Sequence, residues 1–453
     1  MAFGAWPERA NMCEPTINCG VYFDDCPKAA DLIPVCQAMS LYERCAGVPV
    51  GTVGKNDWRM KRVDFRLESM IRTIRASSEE EVHSVIENTL HDSLRNRDLP
   101  WWEIVRIEAP AGCQSAILIR LDHVIGDGLA IVNMMESILT DSDGCKLDSI
   151  IPASMSKKFE KKKPSFIRRL CGWIPNWLRI LYYAFVAIGT PSGKFDTSTS
   201  FRENIGSKMT YSWKRKLIVF DTIPLSFVKK LKNEAAVSLN DVMFSCFAGA
   251  IRRYNLAHDC PVTTKGKKFT CRALLPVAFP RPESEKNDAS ACMRNKWVFV
   301  SQEFGAHIAD PIERLRFVNG KTKAMKSSPL AGVQLAIQES VAPRLPLSLG
   351  RKTVFDLFVR HSAVFSNVPG PTVPVLFGGR EVKGVQMYFN NLIPQVGILS
   401  YCGKVFMNVN ADACAMPGAE ALPKHFADEI SDLATKLGVE TPEGMRYSPP
   451  SKR

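Results

Sequence analysis

The sequence predicts an α/β protein of two units joined by a segment that is first basic and then apolar. Its 453 residues exceed what one hydrophobic core normally organises and favour two units of about 200 residues each. In both halves an apolar strand precedes a helix: 116–119 precedes helically spaced apolar residues in 129–139, and 217–220 precedes a helix over 242–254. The predicted division is residues 1–156, 157–198 and 199–453.

The segment from His123 to Gly128 directly follows the first of these strands. It places an imidazole four residues before Asp127-Gly128, at the start of the predicted helix. A histidine at a strand end can take a proton from an alcohol, thiol or amine near neutral pH. Asp127 can hold the turn through charge-assisted hydrogen bonds, and Gly128 lets backbone approach closely. By itself, the pattern favours an ordinary turn with a hydrogen-bonded histidine over a catalytic site.

Four other segments carry local signals. Ser78 before a run of glutamates predicts a helix start, and Ser238 three residues before Asp241 predicts a capping box. Segment 366–371 holds two prolines and a glycine, which predicts a rigid loop rather than regular structure. Segment 396–409 predicts a β-hairpin.

Five motifs, in order, resemble the wax ester synthase/diacylglycerol acyltransferase family. They are Leu99–Glu103, leading into His123–Gly128; Asn240-Asp241; Arg272–Val277; Ser366–Pro371; and Leu399–Gly403 followed by Ala411-Asp412. The resemblance spans roughly residues 60 to 435, which is most of the chain.

The resemblance implies two similar sheet-and-helix subdomains facing each other, as in coenzyme A-dependent acyltransferases and condensation domains, with a tunnel active site between them. It implies transfer of a long-chain acyl group from acyl-CoA to a fatty alcohol or to diacylglycerol. Acyl-CoA would be a co-substrate, and we expect no other cofactor and no metal. His123 would act as general base for direct attack on the thioester, without an acyl-serine intermediate.

The resemblance also assigns site residues. The catalytic set is His123, Asp127, Gly128 and Asn240, in which Asp127 is structural and pairs with an arginine, expected to be Arg272. Candidate donors to the oxyanion are Asn240 and backbone N–H groups near 126–128. The predicted substrate-binding residues are Trp101, Trp102, Asp122, Gly126, Asp241, Arg272, Asn367, Pro369 and Gly370.

Two features of the predicted site leave alternatives open. The family's first motif histidine is replaced by Asp122, and a carboxylate close to the imidazole would favour the protonated ring. Trp101 and Trp102 either line a substrate channel or fill a core. Residues 1–50 do not resemble the family's usual start, and the sequence assigns them no role.

The chain carries a formal net charge of +13, which calls for an anionic partner. No zinc-finger spacing and no aromatic RNA-binding signature accompany the charge. The balance therefore favours an anionic membrane or a phosphorylated co-substrate such as coenzyme A over nucleic acid.

The connecting segment predicts membrane contact. Seven Lys and Arg against one Glu occupy 157–169, and the largely apolar run 170–188 follows, with four Trp and Tyr residues of the types that favour bilayer interfaces. Pro175 and Arg179 favour a helix lying on the surface, since a mid-helix Arg costs about 2.5–3.5 kcal/mol on insertion scales. A linker helix packed on the protein is the alternative. The expected location is a membrane or lipid droplet surface facing the cytosol, including the endoplasmic reticulum.

The fourteen cysteines are scattered, with no Cys-x-x-Cys pair and no histidine at zinc-ligand spacing. The first residues lack the pattern of a secretory signal. We therefore expect reduced thiols and no metal site.

Three other functions compete with the family assignment. A plant-type alcohol acyltransferase would carry Asp-Phe-Gly-Trp-Gly, which this sequence lacks. A peptide-synthetase condensation domain normally works beside carrier domains, and the sequence has none. A non-catalytic lipid-binding protein on the same scaffold stays open because Asp122 departs from the motif.

Overall fold

The computed structural model describes residues 14–52, 58–95, 98–147, 150, 173–202, 212, 214–279, 281, 283–286, 288 and 291–443. The basic run at 157–169 lies outside the described residues, and so do the side chains of Pro175 and Asn176.

The strands, numbered in chain order, are β1 Thr16–Phe23, β2 Gly47–Val50, β3 Arg59–Arg62, β4 Ile71–Arg75, β5 Trp102–Glu108, β6 Ser115–Asp122, β7 Thr140–Asp141, β8 Arg215–Val219, β9 Ile223–Pro224, β10 Arg272–Ala278, β11 Trp297–Glu303, β12 Ala363–Val368, β13 Val375–Phe377, β14 Arg380–Glu381, β15 Gly384–Phe389, β16 Gln395–Tyr401 and β17 Lys404–Asp412. The helices are α1 Ile33–Ser40, α2 Glu79–Thr89, α3 Gly128–Ile138, α4 Trp173–Gly189, α5 Leu225–Glu234, α6 Leu239–Ala257, α7 Pro261–Thr264, α8 Glu283–Lys286, α9 Pro311–Ser327, α10 Leu330–Ser340, α11 Leu347–Val359 and α12 Leu422–Lys436.

Two large sheets organise the described residues, as the sequence predicts. The first sheet has the strand order β15-β1-β6-β5-β4, and its pairs are antiparallel except for the parallel pair β4–β5. The second runs β11-β10-β12-β16-β17-β8, with β9 beside β17. β15 comes from the C-terminal half of the sequence but completes the first sheet. The two halves of the chain are therefore joined through a shared sheet and not only through the connecting segment.

Alternation along the central strands gives each face of the first sheet its own core. Ile119 and Leu121 of β6 pack on the face that α1 and α3 cover, while Ala116 and Leu118 pack with α2 on the other. In the second sheet, α6 is buried over most of its length and contacts α5, α9 and α12. The second core is thus built around one largely apolar helix.

The local predictions are confirmed with one correction. Ser78 and Ser238 cap α2 and α6, and β16 and β17 form the predicted hairpin. The prediction that 366–371 lacks regular structure is wrong for its first half, since β12 continues to Val368 in parallel pairing with β16. Both prolines of the segment lie after Val368, so the preceding residues keep the N–H groups that a ladder needs.

Candidate active site

His123 lies at the end of a continuous apolar row on the first sheet. Because side chains alternate along a strand, Ile119 and Leu121 point to the same face, and His123 follows them in the same phase. On β15, Val385 and Met387 line that face, and the ring of Phe389 meets the His123 ring edge-on at a centroid distance of 5.6 Å. The sequence pattern of β6 therefore delivers the histidine to the buried face.

Asn295 holds the His123 side chain through two hydrogen bonds. The Asn295 Nδ2 donates to the His123 carbonyl oxygen at 2.7 Å, which leaves Oδ1 facing the ring at 2.8 Å from Nδ1. The indole Nε1 of Trp297 donates to the same Oδ1 at 3.4 Å. Because Oδ1 can only accept, Nδ1 carries the proton, and in the neutral ring Nε2 carries the lone pair. This geometry prepares Nε2 to act as a base.

Asp127 caps a helix and pairs with an arginine, contacts that fit the structural role predicted for it. Its Oδ1 accepts from the backbone N–H of Ala130 at 2.9 Å and caps α3. Its Oδ2 accepts from Arg281 Nη2 at 3.0 Å and from the backbone N–H of Lys296 at 2.7 Å. Since Lys296 adjoins Asn295, the carboxylate ties the start of α3 to the segment that holds the histidine.

The prediction that Arg272 pairs with Asp127 is wrong, because the partner is Arg281. Arg272 lies at the start of β10, where Asp196 accepts its Nε at 2.5 Å and its backbone N–H at 2.6 Å. Burial raises the pKa of the Asp196 carboxyl, and the neighbouring Arg272 opposes that shift. Arg272 also donates to the carbonyl oxygens of Lys194 and Arg360, so it fastens the end of the connecting segment to the second sheet.

Asp122 does not act on the imidazole. Its Oδ2 accepts from Arg95 Nε at 2.7 Å and its Oδ1 from the backbone N–H of Val124 at 2.9 Å. Strand alternation directs residue 122 to the sheet face opposite that of Leu121 and His123. Asp122 therefore replaces the first motif histidine at a buried position next to His123 in the sequence, and its carboxylate binds Arg95 rather than the His123 ring.

The channel role predicted for Trp102 is also wrong. Its side chain is fully buried, donates from Nε1 to the carbonyl oxygen of Cys45 at 2.8 Å, and meets Phe65 edge-on. Trp101 packs beside the same core under the guanidinium of Arg95, 5.3 Å from the ring centroid. Both tryptophans support the strand before the site and lie outside the cavity lining.

The Asn-Asp motif and the Ser366–Pro371 segment meet in the structure. Asn367 Nδ2 donates to Asn240 Oδ1 at 2.6 Å. This leaves Asn240 Nδ2 without a hydrogen-bond partner among the described residues, so it can donate elsewhere. Asp241 is buried, and its Oδ2 accepts from the backbone N–H and the hydroxyl of Ser238. Its predicted contact with substrate remains a prediction.

An apolar cavity of about 120 Å³, open at one side, covers the face of the first sheet that leads to His123. One wall is formed by β1, β6 and β15 of the first sheet. The rest of the lining comes from α3, including Gly128, from β13 and β16, and from the 369–371 loop. Burial raises the pKa of Cys19 to about 12, so this thiol in the wall is neutral. The Tyr401 hydroxyl is satisfied by the backbone of Val375 and Val382. The lining thus suits a hydrocarbon chain.

The predicted glycines allow close packing around this cavity. A β-carbon on Gly370 would lie 2.3 Å from the Ser400 carbonyl oxygen, and one on Gly126 would lie 2.9 Å from the Ala130 Cβ. Gly128 faces the cavity, with Val368 as its neighbour across the gap. Gly128, Pro369 and Gly370 line the cavity at the junction of the two halves of the chain, and their predicted roles at the site remain predictions.

Sequence reasoning missed Asn295, Arg281 and the aromatic contact from Trp297, whose ring centroid lies 5.3 Å from that of His123. Asn295 is 172 residues from His123, and Arg281 is 154 residues from Asp127. No local pattern reports contacts at such separations.

Solved structures define the class of protein that this fold belongs to. The wax ester synthase/diacylglycerol acyltransferase from Marinobacter aquaeolei VT8 is similar with a TM-score of 0.64 and 15% identity, over 96% of this chain and 98% of that one. A starter condensation domain of rhizomide synthetase, solved with C8-CoA, is similar with a TM-score of 0.54 and 10% identity, over 93% and 89% of the chains. The fold is that of the acyltransferases and condensation domains.

Sequence comparison identifies the family. The wax ester synthase/diacylglycerol acyltransferase catalytic domain matches residues 37–175, and the C-terminal domain of that family matches 293–434. A Mycobacterium tuberculosis protein named "Probable diacyglycerol O-acyltransferase tgs2" is 23% identical over 409 residues, covering 83% of each chain. The chain belongs to the wax ester synthase/diacylglycerol acyltransferase family and is an acyltransferase.

We expect Asn295→Ala to lower kcat about 10- to 100-fold with little change in KM. Without the hydrogen bond to Asn295, the His123 ring would sample unproductive orientations. Steady-state kinetics of the purified variant measure both constants. Asn233→Ala, at an exposed asparagine of α5, is the control. An unchanged kcat would show that Asn295 does not position the base.

Proposed function

We propose that this enzyme transfers a long-chain acyl group from acyl-CoA to the hydroxyl of a fatty alcohol or of diacylglycerol, with His123 as general base. The observation that carries the proposal is the position of His123, two residues beyond Leu121 in the cavity wall and fixed through Nδ1 by Asn295. A lipid chain lying in the cavity would place its polar end at the imidazole.

The dimensions of the cavity favour a long chain. Ile17 and Val21 both line the cavity and lie four strand residues, or about 13 Å, apart. An extended acyl chain can lie along this row, whereas an acetyl group would cover only a small part of it. Each buried methylene contributes about 0.8 kcal/mol, which favours long chains over short ones.

The reaction requires a general base and hydrogen-bond donors that stabilise the oxyanion. His123 Nε2 removes the proton from the acceptor hydroxyl as its oxygen attacks the thioester carbonyl carbon. The tetrahedral oxyanion then collapses, the carbon–sulfur bond breaks, and the proton on Nε2 passes to the departing thiolate. Asn240 Nδ2 is the candidate side-chain donor to the oxyanion, together with the predicted N–H groups near 126–128. Exclusion of water by the apolar lining protects the thioester from hydrolysis.

The hypothesis of a non-catalytic lipid-binding protein rested on Asp122, which stands in place of the first motif histidine. Asp122 is paired with Arg95, and the held geometry of His123 does not depend on a second histidine. We therefore favour an active enzyme over a lipid-binding scaffold.

The test supplies purified protein with palmitoyl-CoA and either hexadecanol or a diacylglycerol, and resolves lipid products by chromatography while following coenzyme A release. We expect an ester product with at least one acceptor, and faster turnover with palmitoyl-CoA than with acetyl-CoA. Coenzyme A release without ester would indicate hydrolysis and contradict acyl transfer to these acceptors. Equal rates with both donors would contradict the long-chain assignment.

We further propose that the enzyme works at a membrane or lipid-droplet surface, because both acceptors and their products partition into lipid. The endoplasmic reticulum remains a predicted location. Among the described helices, none combines the length and the hydropathy that a bilayer span requires.

A further inference from the structure

Helix α4 presents an apolar face outward. Leu178, Leu181, Tyr182, Phe185 and Ile188 recur at the spacing of one helical face, and each is exposed, Phe185 by 77%. We call these five residues the outer stripe. A surface helix of a globular protein normally turns its polar residues to solvent, so the arrangement in α4 is reversed.

The other side of α4 is fastened to the protein. Arg179 donates from Nη2 to the carbonyl oxygen of Ser327, at the end of α9, at 2.6 Å. The helix packs along α10, and Tyr183 and Val186 are only partly exposed. The outer stripe is therefore displayed by a helix with a defined orientation.

The segment that carries the stripe is basic. No Asp or Glu occurs from Lys161 to Phe195, while seven Lys and Arg do. Of the described cations, Arg179 and Lys194 are exposed on this segment, and exposed Lys326 adjoins Ser327, which Arg179 contacts. Apolar and aromatic residues beside clustered cations complement a surface that is apolar below and anionic above.

We propose that the outer stripe lies in the headgroup layer of an anionic phospholipid bilayer, with the axis of α4 parallel to the membrane. Its 17 residues extend about 25 Å, which suits a helix lying along the surface. A second copy of this chain fits less well, because a two-fold interface would bring the same cations of both copies together. The core of a protein interface is also normally depleted of lysine.

Docking through α4 would bring the enzyme to the lipid phase, which contains the proposed acceptors, a fatty alcohol or diacylglycerol. This consequence rests on the proposed function, whereas binding to the bilayer stands on the exposed stripe and its charges. The two are therefore measured separately.

The test is flotation of the full-length protein with vesicles of phosphatidylcholine alone or mixed with phosphatidylserine. We expect the intact chain to float with the anionic vesicles, and the double variant Leu181→Ser/Phe185→Ser to bind them about 10- to 100-fold more weakly. The matched control is Leu41→Ser/Leu256→Ser, which removes two exposed apolar side chains away from α4 and should float as the intact chain does. Circular dichroism and melting temperature verify that both variants fold.

A second variant tests the charges. Lys194→Gln/Lys326→Gln should weaken binding to anionic vesicles about fivefold per lysine at low salt. The loss should shrink as salt is raised. Binding that is equal with and without phosphatidylserine would overturn the assignment of an anionic surface.

Two outcomes overturn the docking itself. In the first, the stripe variant folds and floats as well as the intact chain. In the second, the intact chain does not float and sediments as a dimer, and the stripe substitutions abolish that dimer. The second result would make the stripe an interface between copies. A chain that floats as expected yet forms no ester would contradict the proposed function and leave the docking intact.

Discussion

Replacing His123 by alanine should lower turnover about 10²- to 10⁴-fold, which is the usual contribution of a positioned general base. The side chain is only half-buried and its ring makes one hydrogen bond, to Asn295, so the fold should persist. Initial rates of coenzyme A release and ester formation measure the first effect, and the melting temperature measures the second.

His258→Ala is the matched control, since this exposed histidine lies at the end of α6 in the second unit. It should turn over at close to the rate of the intact enzyme. A folded His123→Ala variant with nearly full activity would remove His123 from the mechanism, whatever acceptor is used.

Replacing Asp127 by alanine should lower the free energy of unfolding by about 4–6 kcal/mol, of which about 3–5 kcal/mol comes from breaking a buried ion pair. The reason is that the variant leaves Arg281, only 1% exposed, as an unpaired charge in the interior. Loss of the α3 cap adds about 1 kcal/mol. Activity should fall as well, because the same carboxylate holds the backbone of Lys296 next to Asn295. Chemical denaturation and initial rates measure the two effects.

Two further variants separate the buried pair from the cap. Asp310→Ala removes a cap of α9 whose carboxylate is partly exposed, so it should cost only about 1 kcal/mol. Adding Arg281→Met to Asp127→Ala should recover much of the loss, because no unpaired charge then remains buried. A fully stable but inactive Asp127→Ala variant would contradict the structural role and place Asp127 in the chemistry.

Local signals in the sequence located most of the elements that carry the site. The apolar run before His123, the Asp127 cap and the helix after it follow from period, capping and glycine placement within a few neighbouring residues. The capping box at Ser238 and the β16–β17 hairpin are equally local. The motif order then indicated the family that the comparisons confirm.

The wrong predictions concern side-chain contacts that were inferred from a local sequence pattern but depend on the tertiary structure. Arg272 was predicted as the partner of Asp127 because it belongs to a family motif. In the structure Arg272 binds Asp196, and Arg281 pairs with Asp127. Asp122 is adjacent to His123 in sequence, yet alternation along β6 separates the two side chains onto opposite faces. Trp102 is buried because β5 lies inside the first sheet, which its own sequence neighbours do not reveal.

By itself, the sequence determined the elements, the His123–Gly128 motif and the family, because these depend on residues that are close along the chain. Only the tertiary structure decided that β15 crosses to the first sheet, that Asn295 holds the His123 ring, and that a cavity opens between the two halves. It also decided that α4 turns its apolar face outward, although the same residues could equally have packed inward. These features depend on which distant surfaces meet, and that is set by the packing of the whole chain rather than by any one segment.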